Sequence, residues 1–332
     1  MKQDTLAIKL LNWYKKNGRN LPWRVKGMAH PDPHVILVSE IMLQQTQVKT
    51  VIPFFHKFME RFPTVQDLAK TSQEEVYLYW QGLGYYSRAR SLHATAKMVV
   101  EQFEGKFPSD KKDVLKLKGI GPYTAASFLS LAFNLPESVV DGNVVRIICR
   151  YYGLTEPIQE IMPKIREKAE TLISLEHPAD YTSAIMDLGA TICTPKNPKC
   201  EECPWAEKCF ARLNDQTEEI PVIKKLIKKE KMARIFLITN KNGEIYIRKR
   251  GEKGLLANLY EFPWEETEKY NLSAKDIQKE ISHIFTHIKL TLYLYSVESE
   301  NPNLDGQFVS IEKLKNFPFP TLMKKVLKAY LK

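Results

Sequence analysis

At 332 residues, with 44% hydrophobic and 27% charged side chains, the chain is long enough for two cores and is not the composition of a disordered segment. Its net charge of +10 favours a polyanionic partner, whether DNA, RNA or an acidic membrane surface, because basic side chains release counterions from phosphates. The N-terminal stretch MKQDTLAIKLLNWYKKNG is too charged for a secretory signal and no apolar run is long enough to span a bilayer, so a soluble cytoplasmic protein without a membrane partner is expected.

From residue 1 to 213 the sequence reads as successive amphipathic helices punctuated by Gly and Pro, which predicts an all-α domain. Asp32 and Pro33 open a helix through HVILVSEIMLQQTQV that is apolar on nearly every side, and Glu40 lies inside it. A carboxyl group that water reaches poorly holds its proton near neutral pH and can deliver it; the alternative is a structural Glu paired with a buried Arg. The preceding loop, VKGMAHPDP, leaves His30 and His34 expected to be solvated. Near 113–133, Gly119 and Gly121 separate two helical runs, where a turn without Cβ atoms lets backbone N–H groups approach a phosphate, or simply caps a helix. Asp141 sits at the next helix start, the ordinary place for an N-cap. Cys149, within VVRIICRYYG, reads as a small buried apolar residue.

Cys193, Cys200, Cys203 and Cys209 follow C-x6-C-x2-C-x5-C, four thiolates from one compact loop, 193–209. That spacing suits a 4Fe-4S cluster; a four-cysteine zinc site usually presents two CxxC pairs, and scattered buried thiols are the remaining alternative. Residues 214–233 look like a charged linker, although their Ile and Leu spacing also allows a short docked helix. Beyond it RIFLIT and EIYIRKR flank NKNG, a hairpin signal, and IFTHIKLTLYLYSV alternates with Ile288, Leu290, Leu292 and Leu294 on one face. With the helical patterns SAKDIQKEI and TLMKKVLKAYLK, residues 234–332 read as a smaller α+β domain.

LPWR (21–24), SEIMLQQTQV (39–48), GLGYYSRAR (82–90), GIGPYTA (119–125), VDGNVVR (140–146), MDLGATICTP (186–195) and the cysteine loop occur together and in order. As a set they closely resemble the adenine DNA glycosylases, iron–sulfur enzymes of the helix-hairpin-helix type, over about residues 10–213. The resemblance implies a monofunctional glycosylase that removes adenine opposite 8-oxoguanine or guanine in double-stranded DNA, acting in base-excision repair as a nucleoid-associated monomer. It gives Glu40 the protonation of adenine and Asp141 the stabilisation of the oxocarbenium ion, with Tyr123 and Asn143 supporting Asp141 and a water. Related glycosylase-lyases place a nucleophilic Lys where this chain has Tyr123; Lys118 is nearby but outside the motif position. Gln45 and Tyr86 resemble the residues that fill the gap left by a flipped base, Gln44 could touch the strand as well, and Tyr86 could equally be core. Arg19, Leu21, Trp23 and Asp187 correspond to adenine-pocket positions, with packing or ion pairing as the alternative.

GLLANLYEFPW resembles the family's second domain, which is similar to Nudix hydrolases. The carboxylate motif REx2EExG is missing, so recognition rather than pyrophosphate hydrolysis is implied. Phe285, Thr286 and His287 match a loop implied to recognise 8-oxoguanine, with Thr replacing the more usual Ser. A noncatalytic DNA-binding or redox-sensing protein on the same fold is the contrasting reading, and the presence of both Glu40 and Asp141 weighs against it.

Overall fold

The structure is a computed structural model that describes residues 5–24, 31–224, 229–252, 254–267, 279–285 and 288–331. The chain divides into two compact units, one of residues 1–70 and 91–224, the other of residues 71–90 and 225–332.

The first unit is helical: α1 (Thr5–Asn17), α2 (Pro33–Leu43), α3 (Val48–Arg61), α4 (Val65–Lys70), then, after the stretch that belongs to the second unit, α7 (Lys111–Lys116), α8 (Pro122–Phe133), α9 (Gly142–Tyr152), α10 (Ile158–Glu170), α11 (Pro178–Thr191) and α12 (Phe210–Leu213). α2 begins where Asp32 Oδ1 accepts from His34 N at 2.7 Å and Pro33 supplies a preset φ. His34 is not solvated as the sequence suggested: it is 2% exposed, and its Nε2 lies 2.9 Å from Phe62 O. α8 packs on α2 and α11, and α9 on α10 and α11. Leu10, Val144, Ile148, Ile185, Leu188 and Trp205 belong to one buried cluster that locks α1, α9, α11 and the cysteine loop together.

The second unit contains α5 (Gln73–Trp80), the first turn of α6 (Tyr86–Gln102), a sheet and α13 (Thr321–Tyr330). β1 (Lys229–Thr239) runs parallel to β6 (Ile288–Glu298), with Ile235 opposite Leu294. β5 (Lys279–Ile284) joins β6 antiparallel; β2 (Ile245–Lys249) and β4 (Trp264–Thr267) pair with β1, and β3 (Tyr260–Glu261) and β7 (Gln307–Val309) with β2. The NKNG turn is where the hairpin signal put it: Gly243 takes φ 74°, and Asn240 Oδ1 accepts from Asn242 N and Glu244 N. Leu290, Leu292 and Leu294 face the core, which Leu322, Met323 and Val326 of α13 complete.

The sequence reading missed two points of organisation. Of the segment 214–233, residues 214–224 are not a free linker: Ile220 is 2% exposed in the helical core, Arg150 Nε donates to Ile220 O at 2.9 Å, and Ile158 N donates to Val222 O at 3.0 Å; β1 takes the end of the segment from Lys229. Apolar side chains set singly among charges still found a core. Residues 71–90, which read as part of a continuous helical domain, cluster with the sheet, through Gln81 Nε2 to Phe317 O at 3.1 Å and the ion pair of Lys249 with Glu74 at 2.5 Å.

Candidate active site

Glu40 stands on the buried side of α2, facing α8, and is 6% exposed. Ser127 Oγ, also buried, donates to Glu40 Oε2 at 2.6 Å. Burial pushes the Glu40 carboxyl up to about 7; the Ser127 hydrogen bond opposes the rise, the Asp141 charge adds to it and Arg24 counters it. One α8 turn before Ser127, burial together with the Glu40 and Asp141 charges drives the Tyr123 hydroxyl far above its ordinary range, against an opposing influence of Ser127, so it stays protonated. Glu40, Tyr123 and Asp141 thus share one electrostatic neighbourhood.

Asp141 fills the ordinary role and stays available for another. Its Oδ1 accepts from Val144 N at 2.7 Å, capping α9, and its Oδ2 accepts from Asn143 Nδ2 at 3.0 Å. Asn143 is fixed in turn: Arg146 Nη2 donates to Asn143 Oδ1 at 2.8 Å and to Gly189 O at 2.7 Å, and Arg146 Nε donates to Cys193 O at 2.7 Å. A continuous hydrogen-bonded path therefore runs from the cysteine loop to the Asp141 carboxylate. α11 comes close enough here that a Cβ on Gly189 would meet Asn143 Cβ at 2.5 Å.

Gly119 takes φ +75°, and a Cβ there would collide with Ser91; Gly121 caps α8 with open space around its Cα, leaving the N–H groups of the helix start accessible. Gln44 Nε2 donates to Thr124 Oγ1 at 3.1 Å, which ties Gln44 to the protein. Gln45 is exposed with φ 56°, a left-handed conformation that costs a non-Gly residue about 1–3 kcal/mol.

Tyr86 is corrected by the structure. It is 6% exposed, its hydroxyl donates to Phe319 O at 3.3 Å, its ring lies edge-on to Tyr77, and burial pushes the phenol up to about 12. The exposed aromatic is its neighbour Tyr85, 47% exposed at φ 48°. A helix start turns adjacent side chains about 100° apart, so one Tyr of the pair faces in and the other out, which two adjacent letters do not reveal.

Of the adenine-pocket positions, Leu21 and Trp23 are buried, Trp23 edge-on to Phe55 at 5.2 Å. Asp187 is fully buried and accepts from Arg19 Nε at 2.7 Å, Arg19 N at 2.8 Å and both terminal nitrogens of Arg24 at 2.8 and 2.9 Å. Burial alone would raise its carboxyl, but the Arg24 and Arg19 contacts outweigh it and hold Asp187 below the usual range. One unit therefore carries two buried carboxyl groups in opposite states, Asp187 ionised and Glu40 poised. Sequence reasoning missed Ser127, Arg24 and Arg146. The signal for Ser127 was a polar residue one turn from Tyr123 in an apolar helix, whereas Arg24 and Arg146 had none beyond lying inside motifs.

Cys193, Cys200, Cys203 and Cys209 line one cavity with Arg150 and Arg212. Arg150 is 2% exposed and staples the loop by donating to Thr194 O at 2.7 Å and Pro195 O at 3.1 Å, with Nη1 3.4 Å from Cys193 Sγ. Burial pushes the Cys203 thiol up to about 12 and raises those of Cys200 and Cys209, so these three need a cationic partner to stand as thiolates. Among the described residues no three ligand groups converge on a point that one ion could take, whereas a ring of thiols around a cavity suits a cluster with one thiolate per iron. Cys149 is fully buried and its thiol is raised to about 11, an inert position.

In the second unit, Phe285 is half-buried, edge-on to His283 at 4.6 Å, and lines a cavity of about 540 Å3 together with Leu83, Tyr85, Leu256 and Ile284. Thr286 and His287 lie outside the described residues, as does His30. The buried Glu261 accepts from Arg248 Nε at 2.9 Å, Arg250 Nη1 at 2.5 Å and Trp264 Nε1, so this carboxylate is already used internally.

Residues 38–172 match the HhH-GPD superfamily base excision DNA repair protein family, residues 193–209 the iron–sulfur binding domain of endonuclease III, and residues 234–329 the NUDIX domain. The chain is 35% identical to the adenine DNA glycosylase of Buchnera aphidicola subsp. Schizaphis graminum over 97% of each protein. The chain belongs to the adenine DNA glycosylase family. The Homo sapiens member is 31% identical, over 97% of this chain and 73% of that protein. Among solved structures, a thermostable thymine-DNA glycosylase is 32% identical and superposes with a TM-score of 0.56, covering 63% of this chain and 95% of its own. An endonuclease III–DNA complex, 21% identical with a TM-score of 0.52 over 63% of this chain and 94% of its own, shares the fold. The match over 193–209 makes this loop a 4Fe-4S binding domain; Cys193, Cys200, Cys203 and Cys209, which line its cavity, would hold the cluster, which would supply the cations that keep them as thiolates.

Proposed function

We propose that this chain is a monofunctional adenine DNA glycosylase of base-excision repair, acting as a cytoplasmic, nucleoid-associated monomer on adenine opposite 8-oxoguanine or guanine in double-stranded DNA. The observation that carries the reading is the buried Glu40, poised near neutrality by burial, hydrogen-bonded by Ser127 and within the field of Asp141, with a protonated phenol and not an amine at position 123.

Glycosidic cleavage leaves electrons on the departing purine and positive charge on the sugar. Glu40, part-protonated near pH 7, gives a proton to the adenine ring and so lowers the basicity of the leaving group. Asp141, held by Val144 N and Asn143, presents a fixed carboxylate to the oxocarbenium ion, where preorganised charge acts without reorganisation. Glu40, now ionised, accepts a proton from the water that completes the hydrolysis. Tyr123 offers no free amine for a Schiff base, so strand cleavage does not follow base release. In the first unit the N–H groups after Gly119 and Gly121 grip a phosphate and exposed Gln45 fills the duplex where the adenine leaves; in the second unit exposed Tyr85 enters the duplex, and Phe285 with Thr286 and His287 supports selection of 8-oxoguanine.

The test is single-turnover cleavage of duplexes carrying adenine opposite 8-oxoguanine, adenine opposite guanine, or thymine glycol opposite adenine, with and without alkali. Adenine release that needs alkali for strand scission is expected; alkali-independent cutting at thymine glycol would refute the proposal.

A further inference from the structure

In the first turn of α6, Arg88 is 7% exposed, and its guanidinium lies over two rings, 5.6 Å from the Trp80 centroid and 5.0 Å from that of Tyr85. The same two side chains hold the turn between them. Trp80 Nε1 donates to Gly84 O at 3.0 Å, Arg88 Nη2 donates to Gly84 O at 3.2 Å and reaches Leu83 O at 3.5 Å, and Arg88 N donates to Tyr85 O at 2.9 Å. Burial lowers the guanidinium to about 10, which leaves it charged at neutral pH, and a desolvated cation against an aromatic face is the strong form of that contact. Gly82 and Gly84 supply positive φ angles that let the turn fold back, and Tyr85 follows them into the left-handed region, which a Tyr does not choose unaided.

We propose that Arg88 is a positioning residue for Tyr85: with Trp80 it clamps the Gly82–Tyr85 turn, so that the exposed phenol is presented to DNA in one fixed orientation. The inference rests on the proposed function, in which Tyr85 enters the duplex. A side chain that must fill the gap beside a flipped base gains by being ordered beforehand, because the ordering cost is then absent from the binding step. Trp80 supplies one carbonyl contact and a ring under the cation, and Arg88 supplies the other contact and the charge.

The experiment is a double-mutant cycle on the full chain, measured as single-turnover base release from adenine opposite 8-oxoguanine with enzyme in excess. Arg88→Met, which keeps the volume and removes the charge, is expected to slow release about tenfold alone. In a Tyr85→Ala background the same change is expected to have less than about a twofold effect, and Arg88→Lys to recover part of the loss. Equal losses in both backgrounds would overturn the proposal, since Arg88 would then act on stability or on another contact. Should Arg88→Met fail to fold by circular dichroism, Trp80→Phe deletes the indole donor to Gly84 O and narrows the ring under the cation; a smaller loss that vanishes in the Tyr85→Ala background supports the clamp, and one that persists refutes it. Absence of adenine release by the unmodified chain would instead refute the proposed function.

Discussion

Replacing Glu40 by Gln should make the protein more stable above neutral pH while removing its activity. The carboxyl moves from 4.5 in the unfolded chain to about 7 in the folded one, so the folded state binds its proton more tightly. The sign follows: its favourable contribution is complete below pH 4.5 and is lost as the pH rises through about 7, because an ionised Glu40 must then be kept out of water. The gap of about 2.5 pH units corresponds to roughly 3 kcal/mol at pH 8. Glu40 is 6% exposed, so bulk water does not screen its charge. Gln keeps the shape and a carbonyl acceptor for Ser127 Oγ but carries no charge at any pH. Urea titration of both proteins at pH 5 and pH 8 should therefore show a small difference at pH 5 and an advantage of up to about 3 kcal/mol for Glu40→Gln at pH 8. Base release by the variant should be undetectable, and that of the parent should fall above pH 7 as the general acid deprotonates. A stability difference that is the same at both pH values would refute the argument, because Glu40 would then be ionised in the fold throughout.

Asp141→Asn should separate the two duties of that side chain: an amide oxygen still caps α9 but its NH2 replaces the acceptor of Asn143 Nδ2, so urea stability should fall by about 1 kcal/mol, while base release should be lost because no negative charge meets the sugar cation. Gly189→Ala should show the reverse of the usual helical gain from alanine. Its Cβ would press on Asn143, so a destabilisation of about 1–3 kcal/mol and slower base release with unchanged DNA affinity are expected in paired denaturation and binding measurements.

Much of the candidate site was legible because its parts are local. Asp32–Pro33 and the apolar run around Glu40 fixed a buried helix, and burial of a carboxyl in such a helix is enough to raise it. The C-x6-C-x2-C-x5-C spacing similarly carries its own geometry. What the sequence hid was long-range or depended on single turns of backbone. Ser127 reaches Glu40 across 87 positions, and Arg19 reaches Asp187 across 168. His34 read as solvated because its loop is polar, yet the first turn of α2 points it at Phe62 O. Tyr85 and Tyr86 exchanged places because the phase of α6 is set by the glycine turn before it. Ile220 joined the core because one apolar side chain among charges leaves no periodic trace.

The chain passes between its two units three times, at positions 70/71, 90/91 and 224/225. Severing a single peptide bond therefore does not yield two whole modules: a fragment ending at 224 would keep Gln81 and Tyr86 but lose the Phe317 and Phe319 carbonyls they bond to. The part whose matches name iron–sulfur binding and excision and the part that matches a NUDIX domain are separable as families, but in this polypeptide they are laced together like two pages sewn with one thread. Dissecting either one requires rejoining the chain around residues 71–90 rather than cutting it.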